Sequence, residues 1–553
     1  MILDRLKKLY PEDATYLAKE IDVLIQKWKT KINVRYPFVN EKDAVLITYG
    51  DSILKHGEAP LKTLHRFWSG LGRDTINTIH ILPMFPFTSD DGFSVVDFKE
   101  INAELGSWKD IKTLHQDFFL MFDAVLNHCS ASSSYFKNYL NQKKGYETFF
   151  KNWDPSKDYS KVTRPRTSPL LTQFETVHGI KNIWTTFSAD QVDINYESPQ
   201  VLLEMLDVLL LYVYQGARFI RYDAIGFLWK KLGTTCMHLE ETHEIIKLTK
   251  EVIQACAEGV EIITETNVAH HDNISYFGNG YDEAGLVYQF PLPPLTLNAF
   301  ITESSTYLTA WAKSLQPTSK QTTFFNFLSS HDGIGLRPVE GILPDQVKKN
   351  LLDTVISRGA RVNYRTLSDG TKTPYEMCIT YMDALSDSSD SDTLRSKRFL
   401  AAHSILLSLS GLPAIYIHSL LGSRNDIHGA DLSGINRRIN REKLNYDQLI
   451  EDLSNESSLR HHVFYGMKHM LKVRRDEPLF SPHANQVILE LDHRVFAVER
   501  QENDQVIINI TNVSSDSIEI KLIGSYQDLI TNLTYLDCVT LKPYQYGWFK
   551  KIS

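Results

Sequence analysis

The chain has 553 residues, of which 42% are hydrophobic and 23% are charged, and its net charge is -8. This balance is typical of a globular protein, and it excludes wholesale disorder, a fibrous chain and a strongly basic nucleic-acid-binding protein. The five cysteines are scattered without a CxxC pair, which favours free thiols in a reducing compartment.

The first residues predict a helical extension. Leu17, Ile21, Leu24 and Trp28 recur at helical spacing, which indicates an amphipathic helix over 11–30 within an extension spanning 1–43. The N-terminus lacks the pattern of a secretory signal, and no apolar stretch reaches the length of a membrane span. We therefore expect a cytoplasmic protein that partners neither membranes nor nucleic acid.

From residue 44 onward, short apolar runs alternate with longer helical stretches such as 199–214, 242–255 and 394–408. The runs are near-continuously apolar, as is typical of parallel strands buried on both faces. Strands are predicted at 44–49, 78–82, 118–123, 217–221, 260–264, 286–290, 322–327 and 413–418. Eight strands with helical crossovers predict an α/β fold, a (β/α)8 TIM barrel, rather than a doubly wound sheet.

Two spacings between these strands are too long for simple crossovers. They predict inserted subdomains at 130–197, after the third strand, and at 334–395, after the seventh. The first of them shows no clear helix–strand pair. The barrel itself is then divided into 44–129, 198–333 and 396–478. After residue 479 short alternating runs predict a C-terminal antiparallel β domain over 479–553.

Polar residues stand at the carboxyl ends of several predicted strands. They are Asp123 after the third strand, Arg221 and Asp223 after the fourth, Glu265 after the fifth, and His331 and Asp332 after the seventh. One aspartate in such a place is usually a turn or cap residue. Because the active site of a parallel barrel lies at these strand ends, several carboxylates with an arginine and a histidine beside them indicate a catalytic site.

The segments DAVLNH, GARFIRYDA, IITET and SSHD resemble the four signature regions of the α-amylase superfamily of glycoside hydrolases. The segment HILPMFPFTSDDGFSVVDF, RPR at 164–166 and INR at 439–441 extend the resemblance to its branch of sucrose and glucosylglycerate phosphorylases. The resemblance covers residues 44–553. It implies a retaining transfer of an α-glucosyl unit by double displacement through a covalent glucosyl-enzyme.

By motif position, the resemblance implies that Asp223 is the nucleophile, Glu265 the general acid/base and Asp332 the stabiliser of the transition state. Arg221, two residues before Asp223 on the same strand, is expected to keep that carboxylate ionised. Glu265 must hold a proton, so its pKa should be raised. His331 and Asp332 would hold sugar hydroxyls.

Further sugar contacts follow from the resemblance. Asp90 and Arg441 match a pair that closes the back of a pocket for one glucosyl unit. Phe93 matches an aromatic platform and His128 a sugar-binding histidine, while Gln191 and Phe227 match positions that line the cleft. As single residues, Phe93 and Phe227 could equally be core aromatics.

A phosphorylase must place phosphate near the anomeric carbon, and the planar fork of arginine suits that task. Arg166 matches the phosphate-binding arginine of the branch. Arg164, Arg424 and Arg438 are alternatives. No zinc, nucleotide or dinucleotide motif occurs. The branch is generally without the calcium of amylases, so the resemblance implies no metal, and we expect no cofactor, with inorganic phosphate as the co-substrate.

The acceptor side departs from the sucrose phosphorylase pattern. Thr266 and Asn267 follow Glu265 where Val and His stand in that pattern, and Tyr222 replaces a common Leu. These differences imply a closer likeness to glucosylglycerate phosphorylases. Asn267 and His270 are then candidates to meet an acceptor that carries a carboxylate.

The substrate implied is 2-O-α-glucosylglycerate, with α-D-glucose 1-phosphate as product. The alternatives are a phosphorylase of sucrose, sucrose 6-phosphate or glucosylglycerol, and a hydrolase or transglucosidase. A non-catalytic barrel is a third class, but such a protein would lack one of the three acids. Either a monomer or a homodimer is compatible with the sequence.

Overall fold

A computed structural model describes residues 2–316, 319–367 and 370–552. Eight parallel strands form a closed barrel in which each strand pairs with its neighbours in sequence and β8 pairs with β1. The strands are β1 Val45–Thr48, β2 Thr78–Ile81, β3 Phe119–Ala124, β4 Ala217–Tyr222, β5 Glu261–Thr264, β6 Leu286–Tyr288, β7 Thr323–Asn326 and β8 Leu412–Tyr416. The predicted barrel is confirmed, and each predicted strand lies where its apolar run stands.

Long helices connect the strands and cover the barrel. They are Pro60–Leu71, Trp108–His115, Pro199–Tyr214, Glu240–Cys256, Leu292–Thr302, Thr306–Ser314, Asp392–Ser408 and Leu459–Asp476. Pro60 and Pro199 stand in first turns, where proline needs no hydrogen-bond partner. Ser107 and Asp110 form a capping box that starts the helix at Trp108.

The N-terminal extension contains two helices, Ile2–Leu9 and Ala14–Lys29. The prediction of one helix over 11–30 therefore missed the first helix and began the second too early. Arg5 pairs with Glu244 at 3.0 Å, and the indole of Trp28 donates to Asp207 at 2.9 Å. These contacts anchor both helices to the outside of the barrel.

The insertion after β3 is more regular than the sequence indicated. It contains the helix Ser134–Leu140 and a hairpin of Leu171–Thr176 with Gly179–Trp184. At its two ends, His128–Ser130 pairs antiparallel with Gln191–Asp193. This short ladder brings His128 and Gln191 together at the carboxyl face of the barrel.

The insertion after β7 builds a three-stranded antiparallel sheet from Ile334–Gly335, Lys372–Cys378 and Arg361–Thr366, in that order. The helices Asp345–Ser357 and Tyr381–Leu385 flank it, and a short 3-10 helix spans Arg337–Val339. The sheet stands over the end of β7 and so walls one side of the barrel mouth.

Shorter elements complete the carboxyl face. After β8 they are the helices Ile417–Leu420, Ile427–Ser433 and Tyr446–Ser454, the 3-10 helix Asn436–Asn440, and a strand Leu444–Asn445 that pairs with Ile53–Leu54. After β2 and β4 lie the 3-10 helices Asp90–Gly92 and Ile225–Phe227, and after β5 lie His270–Ile274 and Ser275–Phe277. A last 3-10 helix, Pro478–Phe480, leads out of the barrel.

The C-terminal region is a six-stranded antiparallel sheet. Its strands are β9 Asn485–Leu489, β10 Val495–Glu502, β11 Gln505–Asn512, β12 Ile518–Asp528, β13 Thr534–Leu541 and β14 Tyr546–Lys551, in the order β9-β10-β11-β14-β12-β13. This confirms the predicted antiparallel sheet. Trp548 donates to Ser404 at 2.9 Å and joins the sheet to the barrel. No helix in the described part of the chain is long and apolar enough to cross a membrane.

Candidate active site

Three carboxyl groups converge on one cavity at the carboxyl ends of the barrel strands. Asp223 directly follows β4, Glu265 directly follows β5, and Asp332 lies on the loop after β7. All three line a cavity of about 920 Å³ that includes its open mouth. Parallel strands present these ends on the same side of the barrel, so the geometry follows from the fold.

Arg221 connects the first two acids. It precedes Asp223 by two residues on β4, so both side chains point the same way. Its guanidinium donates to Asp223 at 2.8 Å and lies 3.8 Å from Glu265. It also pairs with Asp123 at the end of β3.

Behind Asp123 stands His80, whose Nε2 lies 2.6 Å from the Asp123 carboxylate. Both side chains are buried, and the sequence analysis missed His80. The available signal was a histidine inside the otherwise apolar strand TIHI. Because the Asp123 carboxylate is held by its contact with His80, Asp123 in turn holds the Arg221 guanidinium in place.

The acids differ in protonation. Burial raises the pKa of Asp223 above its usual value, although the charge of Arg221 acts to lower it. Burial, together with the neighbouring Asp223 and Asp332, raises the pKa of Glu265 to about 7. Glu265 is therefore the carboxyl that holds a proton near neutral pH, as expected for a general acid. Arg221 was expected to keep Asp223 ionised by lowering the pKa of its carboxyl. Burial raises that pKa by more than Arg221 lowers it, so the net shift is upward.

Asp332 is held ionised by arginine. Burial acts to raise the pKa of its carboxyl, but the charges of Arg437, Arg441 and Arg221 outweigh it and hold the pKa below its usual value. Arg437 contributes most, with its guanidinium 2.5 Å from the carboxylate.

A second buried carboxylate positions Arg437. Glu376, on the antiparallel sheet after β7, meets the Arg437 guanidinium at 3.0 and 3.1 Å and accepts from the backbone of Gly333 at 2.9 Å. A Cβ at Gly333 would lie 2.6 Å from Glu376, so this approach requires glycine. Glu376 and Arg437 were not predicted, because no periodic signal in the sequence marks the approach of these two loops.

The predicted sugar contacts cluster beside the acids. The ring of Phe93 stacks on His331, with centroids 4.9 Å apart and planes 8° apart. Gln191 Nε2 lies 3.3 Å from His128 Nε2 and 3.2 Å from Asp90. All five side chains line the cavity.

Asp90 and Arg441, the two positions expected to close the back of the pocket, contact different groups. Arg441 donates to the neighbouring Asp91 at 2.5 Å and to the carbonyl of His331 at 2.8 Å, and Arg438 also pairs with Asp91. The wall at the back of the pocket is therefore built on Asp91, while Asp90 faces the cavity. A second cavity, lined by Asp91, Arg441 and Tyr49 among others, lies on the far side of this pair.

Strained backbone marks both sides of the pocket. Asp90 and Asp91 both have φ near +50°, as does Ala224 directly after Asp223. A residue other than glycine in this left-handed conformation costs free energy, and such residues cluster at functional sites. From this conformation the Ala224 amide donates to Glu265 at 3.1 Å.

The mouth of the cavity carries aromatic rings and positive charge. Phe227 packs edge-on against Phe187, and Arg166 lies over Phe187 and hydrogen-bonds the hydroxyl of Tyr375. Among the described residues Arg166 has no carboxylate partner. The arginines lining the cavity are Arg166, Arg337, Arg365 and Arg437.

The three arginines considered as alternatives to Arg166 for binding phosphate contact other protein groups. Arg424 pairs with Asp383, Arg438 with Asp91, and Arg164 donates to the Ser168 carbonyl. Asn267 lines the cavity, whereas His270 lies against Phe324 away from it. In the described ranges no group of three His, Cys, Asp or Glu side chains is arranged to hold a metal ion.

The arrangement places three carboxyl groups on one cavity: one bonded to Arg221, one whose pKa is raised to about 7, and one whose pKa is lowered by arginines. That set is the requirement for displacement at a glycosidic carbon with retention of configuration. The arginines at the mouth add the capacity to bind an anionic partner of the reaction.

Comparison with known proteins agrees with this chemistry. Residues 70–337 match the model of the alpha amylase catalytic domain. The chain is 45% identical to the glucosylglycerate phosphorylase of Escherichia coli (strain K12), covering 99% of each chain. It is 46% identical to the glucosylglycerate phosphorylase of Allomeiothermus silvanus, covering 99% of this chain and 98% of the relative.

Among solved structures, the chain is similar to sucrose 6F-phosphate phosphorylase from Thermoanaerobacter thermosaccharolyticum. The TM-score is 0.76 at 24% identity, over 90% of this chain and 98% of that one. This likeness supports the fold.

Proposed function

This chain belongs to the alpha-amylase family, and we propose that it is a retaining phosphorylase that transfers a glucosyl unit reversibly between glycerate and phosphate. Its substrate is 2-O-α-glucosylglycerate and its product α-D-glucose 1-phosphate. The observation that carries the proposal is the convergence of Asp223, Glu265 and Asp332 on one cavity with arginines at its mouth. The high identity to glucosylglycerate phosphorylases over the whole chain supports the choice of substrate.

In the first step the Asp223 carboxylate attacks the anomeric carbon while Glu265 gives its proton to the glycosidic oxygen. The bond to glycerate breaks, glycerate leaves as the free alcohol, and a glucosyl ester forms on Asp223. A Glu265 pKa of about 7 leaves this carboxyl protonated in a large fraction of molecules at neutral pH. Asp332, held ionised by Arg437, offsets the positive charge that develops on the sugar ring.

In the second step a P–OH oxygen of phosphate attacks the same carbon and passes its proton to Glu265. The ester bond to Asp223 breaks, and the second inversion restores the α configuration. Arg166 is the proposed phosphate contact, because it lines the cavity without a carboxylate partner and adds positive charge near Asp332.

Asp90, Phe93, His128, Gln191, Phe227 and His331 are proposed to hold the glucosyl unit, with Arg441 acting from behind through Asp91. The charges that both steps need come from side chains, so we propose that phosphate is the only small-molecule partner besides the glucoside. Because the site is built within one chain, a monomer suffices, and a homodimer would not alter it. A cytoplasmic location is part of the proposal, since phosphate and glucose 1-phosphate are intracellular metabolites.

The test is incubation of the protein with glucosylglycerate in the presence and absence of phosphate. We expect α-glucose 1-phosphate only when phosphate is present, and loss of product in Asp223→Asn. Free glucose at the same rate with or without phosphate would identify a hydrolase. The reverse reaction, from glucose 1-phosphate with glycerate, fructose, fructose 6-phosphate or glycerol, identifies the acceptor.

A further inference from the structure

Arg337 is a cation of the catalytic cavity that forms no ion pair with any other residue the structure describes. It lies on the 3-10 helix after the short strand Ile334–Gly335 and lines the cavity. Within residues 2–316, 319–367 and 370–552 its guanidinium has no hydrogen bond and no ion pair. Burial and the nearby charge of Arg365 lower its pKa below the usual value, which shows that a positive charge here is poorly compensated.

The acidic groups that act on Arg337 are already engaged. Glu340 pairs with Arg365 at 3.0 Å, and the Asp272 carboxylate lies 3.0 Å from the exposed imidazole of His271. A half-buried arginine without a carboxylate is expensive unless an anion from solution completes it. The cavity therefore offers a fixed positive charge to a bound ligand.

Asn267 supplies a hydrogen-bond acceptor in the same corner. It follows Glu265 by two residues, and its Oδ1 is buried with no hydrogen-bond partner in the described part of the chain. A Cβ built on Gly335 would lie 3.0 Å from that oxygen and 3.3 Å from Pro338, the residue next to Arg337. The amide of Asn267 is thus packed against the backbone that carries Arg337, beside the general acid.

We propose that Arg337 binds the carboxylate of the acceptor while Asn267 Oδ1 accepts a hydrogen bond from its free hydroxyl, so that this corner selects glycerate over a neutral polyol. The inference rests on the proposed function and names the residues that set its acceptor. A carboxylate next to a hydroxyl provides both partners that the corner lacks. Phosphate matches the site formed by Arg337 and Asn267 less well, because the P–OH group of phosphate is directed to Glu265 during the reaction and is not available to Asn267.

Arg166 differs from Arg337 in its surroundings. Arg166 hydrogen-bonds the hydroxyl of Tyr375, lies over two aromatic rings and acts on the charge of Asp332. It is placed for phosphate at the reacting carbon. Among the residues that the structure describes, Arg337 has neither a hydroxyl partner nor a ring contact, so its donor fork is open to a carboxylate.

The experiment compares two acceptors that differ only in this group. Glucose 1-phosphate is the donor, and glycerate and glycerol are present together at equal concentration. Both acceptors react with the same glucosyl-enzyme, so the ratio of glucosylglycerate to glucosylglycerol does not depend on how fast that intermediate forms. Arg337→Gln is expected to lower this ratio about 30- to 100-fold, the range of a lost hydrogen-bonded charge contact.

Three further variants make the result specific. Arg337→Lys keeps the charge and should recover much of the ratio, which a purely structural role would not require. Asn267→Ala should lower both glucosides relative to free glucose, because both acceptors carry the hydroxyl. Arg361→Gln is the control. Arg361 lies on the antiparallel sheet after β7 and pairs with Asp431, and its replacement should leave the ratio unchanged.

An unchanged ratio in Arg337→Gln overturns the inference, and so does failure of that variant to release phosphate from glucose 1-phosphate while its melting temperature is unchanged. The second result would assign Arg337 to phosphate. If Arg337→Gln does not fold, the ratio in Arg337→Lys decides, since a fall of about 30-fold or more with the charge kept contradicts a role of that charge. A wild-type protein that uses another acceptor but not glycerate refutes the proposed substrate instead.

Discussion

The guanidinium of Arg437 lies 2.5 Å from the carboxylate of Asp332. Two loops that follow different barrel strands meet in this contact, and it keeps a buried carboxylate ionised where the reaction needs negative charge. Arg437 also forms an ion pair with Glu376, which lies on the antiparallel sheet inserted after β7. The charge of Asp332 therefore depends on that sheet.

Replacing Arg437 with Gln should reduce kcat by about 10²-fold, because Asp332 loses the charge that keeps it ionised. The pKa of Asp332 would rise, so the variant should lose activity on acidification at a higher pH than the wild type does. Stability should fall by about 3 kcal/mol, because Glu376 is left buried without its partner. The pH–rate profile and thermal unfolding measure these effects.

Arg437→Lys is the matched variant for that prediction. It keeps one charge but loses the fork that spans Asp332 and Glu376, so its acidic limb should lie between those of the wild type and the glutamine variant. An acidic limb that stays in place in both variants would show that Arg437 does not set the charge of Asp332.

Glu265 gives a second, independent pH prediction. Its pKa of about 7 means that kcat/KM for phosphorolysis should fall as pH rises above about 7, where the proton needed by the leaving glycerate is lost. Kinetics at a series of pH values with glucosylglycerate measure this limb. A rate that is constant through the neutral and mildly alkaline range would contradict the assignment.

Glu265→Gln should lose activity on glucosylglycerate by about 10³-fold or more, since no proton reaches the leaving oxygen. With α-glucosyl fluoride, whose leaving group needs no proton, the variant should still form the glucosyl-enzyme. Mass spectrometry of the intact protein detects that ester. Asp223→Asn, which lacks the nucleophile, is the control and should form none.

The wall between the two cavities predicts a change of donor specificity. Asp91→Ala removes the anchor of Arg441 and Arg438, so the back of the glucosyl pocket should open toward the cavity beyond it. We expect KM for glucose 1-phosphate to rise by about tenfold and a detectable reaction with a maltosyl donor that the wild type rejects. Initial rates with both donors check this.

Asp51→Ala is the control for the wall, because Asp51 lines the far cavity and pairs with Lys443 without touching Arg441. It should leave the donor preference unchanged. Equal donor profiles for Asp91→Ala and the wild type would show that Asp91 does not limit the pocket to one glucosyl unit.

Activity should be independent of metal ions. The positive charges that face the carboxylates of the site belong to Arg221, Arg437 and Arg441, so no cation from solution is required. Rates measured before and after extensive dialysis against EDTA should agree. A loss that calcium or magnesium restores would refute this expectation.

Most of the scaffold could be read from the sequence, because each barrel strand is a short apolar run and the reactive residues directly follow such runs. Asp223 and Glu265 are found this way, and Asp332 lies close behind β7. The sequence did not show which of Asp90 and Asp91 meets Arg441, since neighbouring residues in a strained turn point in different directions and only coordinates distinguish them.

The sequence by itself determined the barrel and the C-terminal sheet and located three acids at or near strand ends, because these depend on local periodicity and on positions after apolar runs. The catalytic roles proposed for these acids came from the family resemblance. Tertiary structure alone decided the partners: Glu376 with Arg437, Asp91 with Arg441, and His80 with Asp123. It also decided that Arg337 forms no ion pair within the residues the structure describes. Those relationships depend on how loops that are distant in the chain approach one another, and no local pattern of residues encodes that approach.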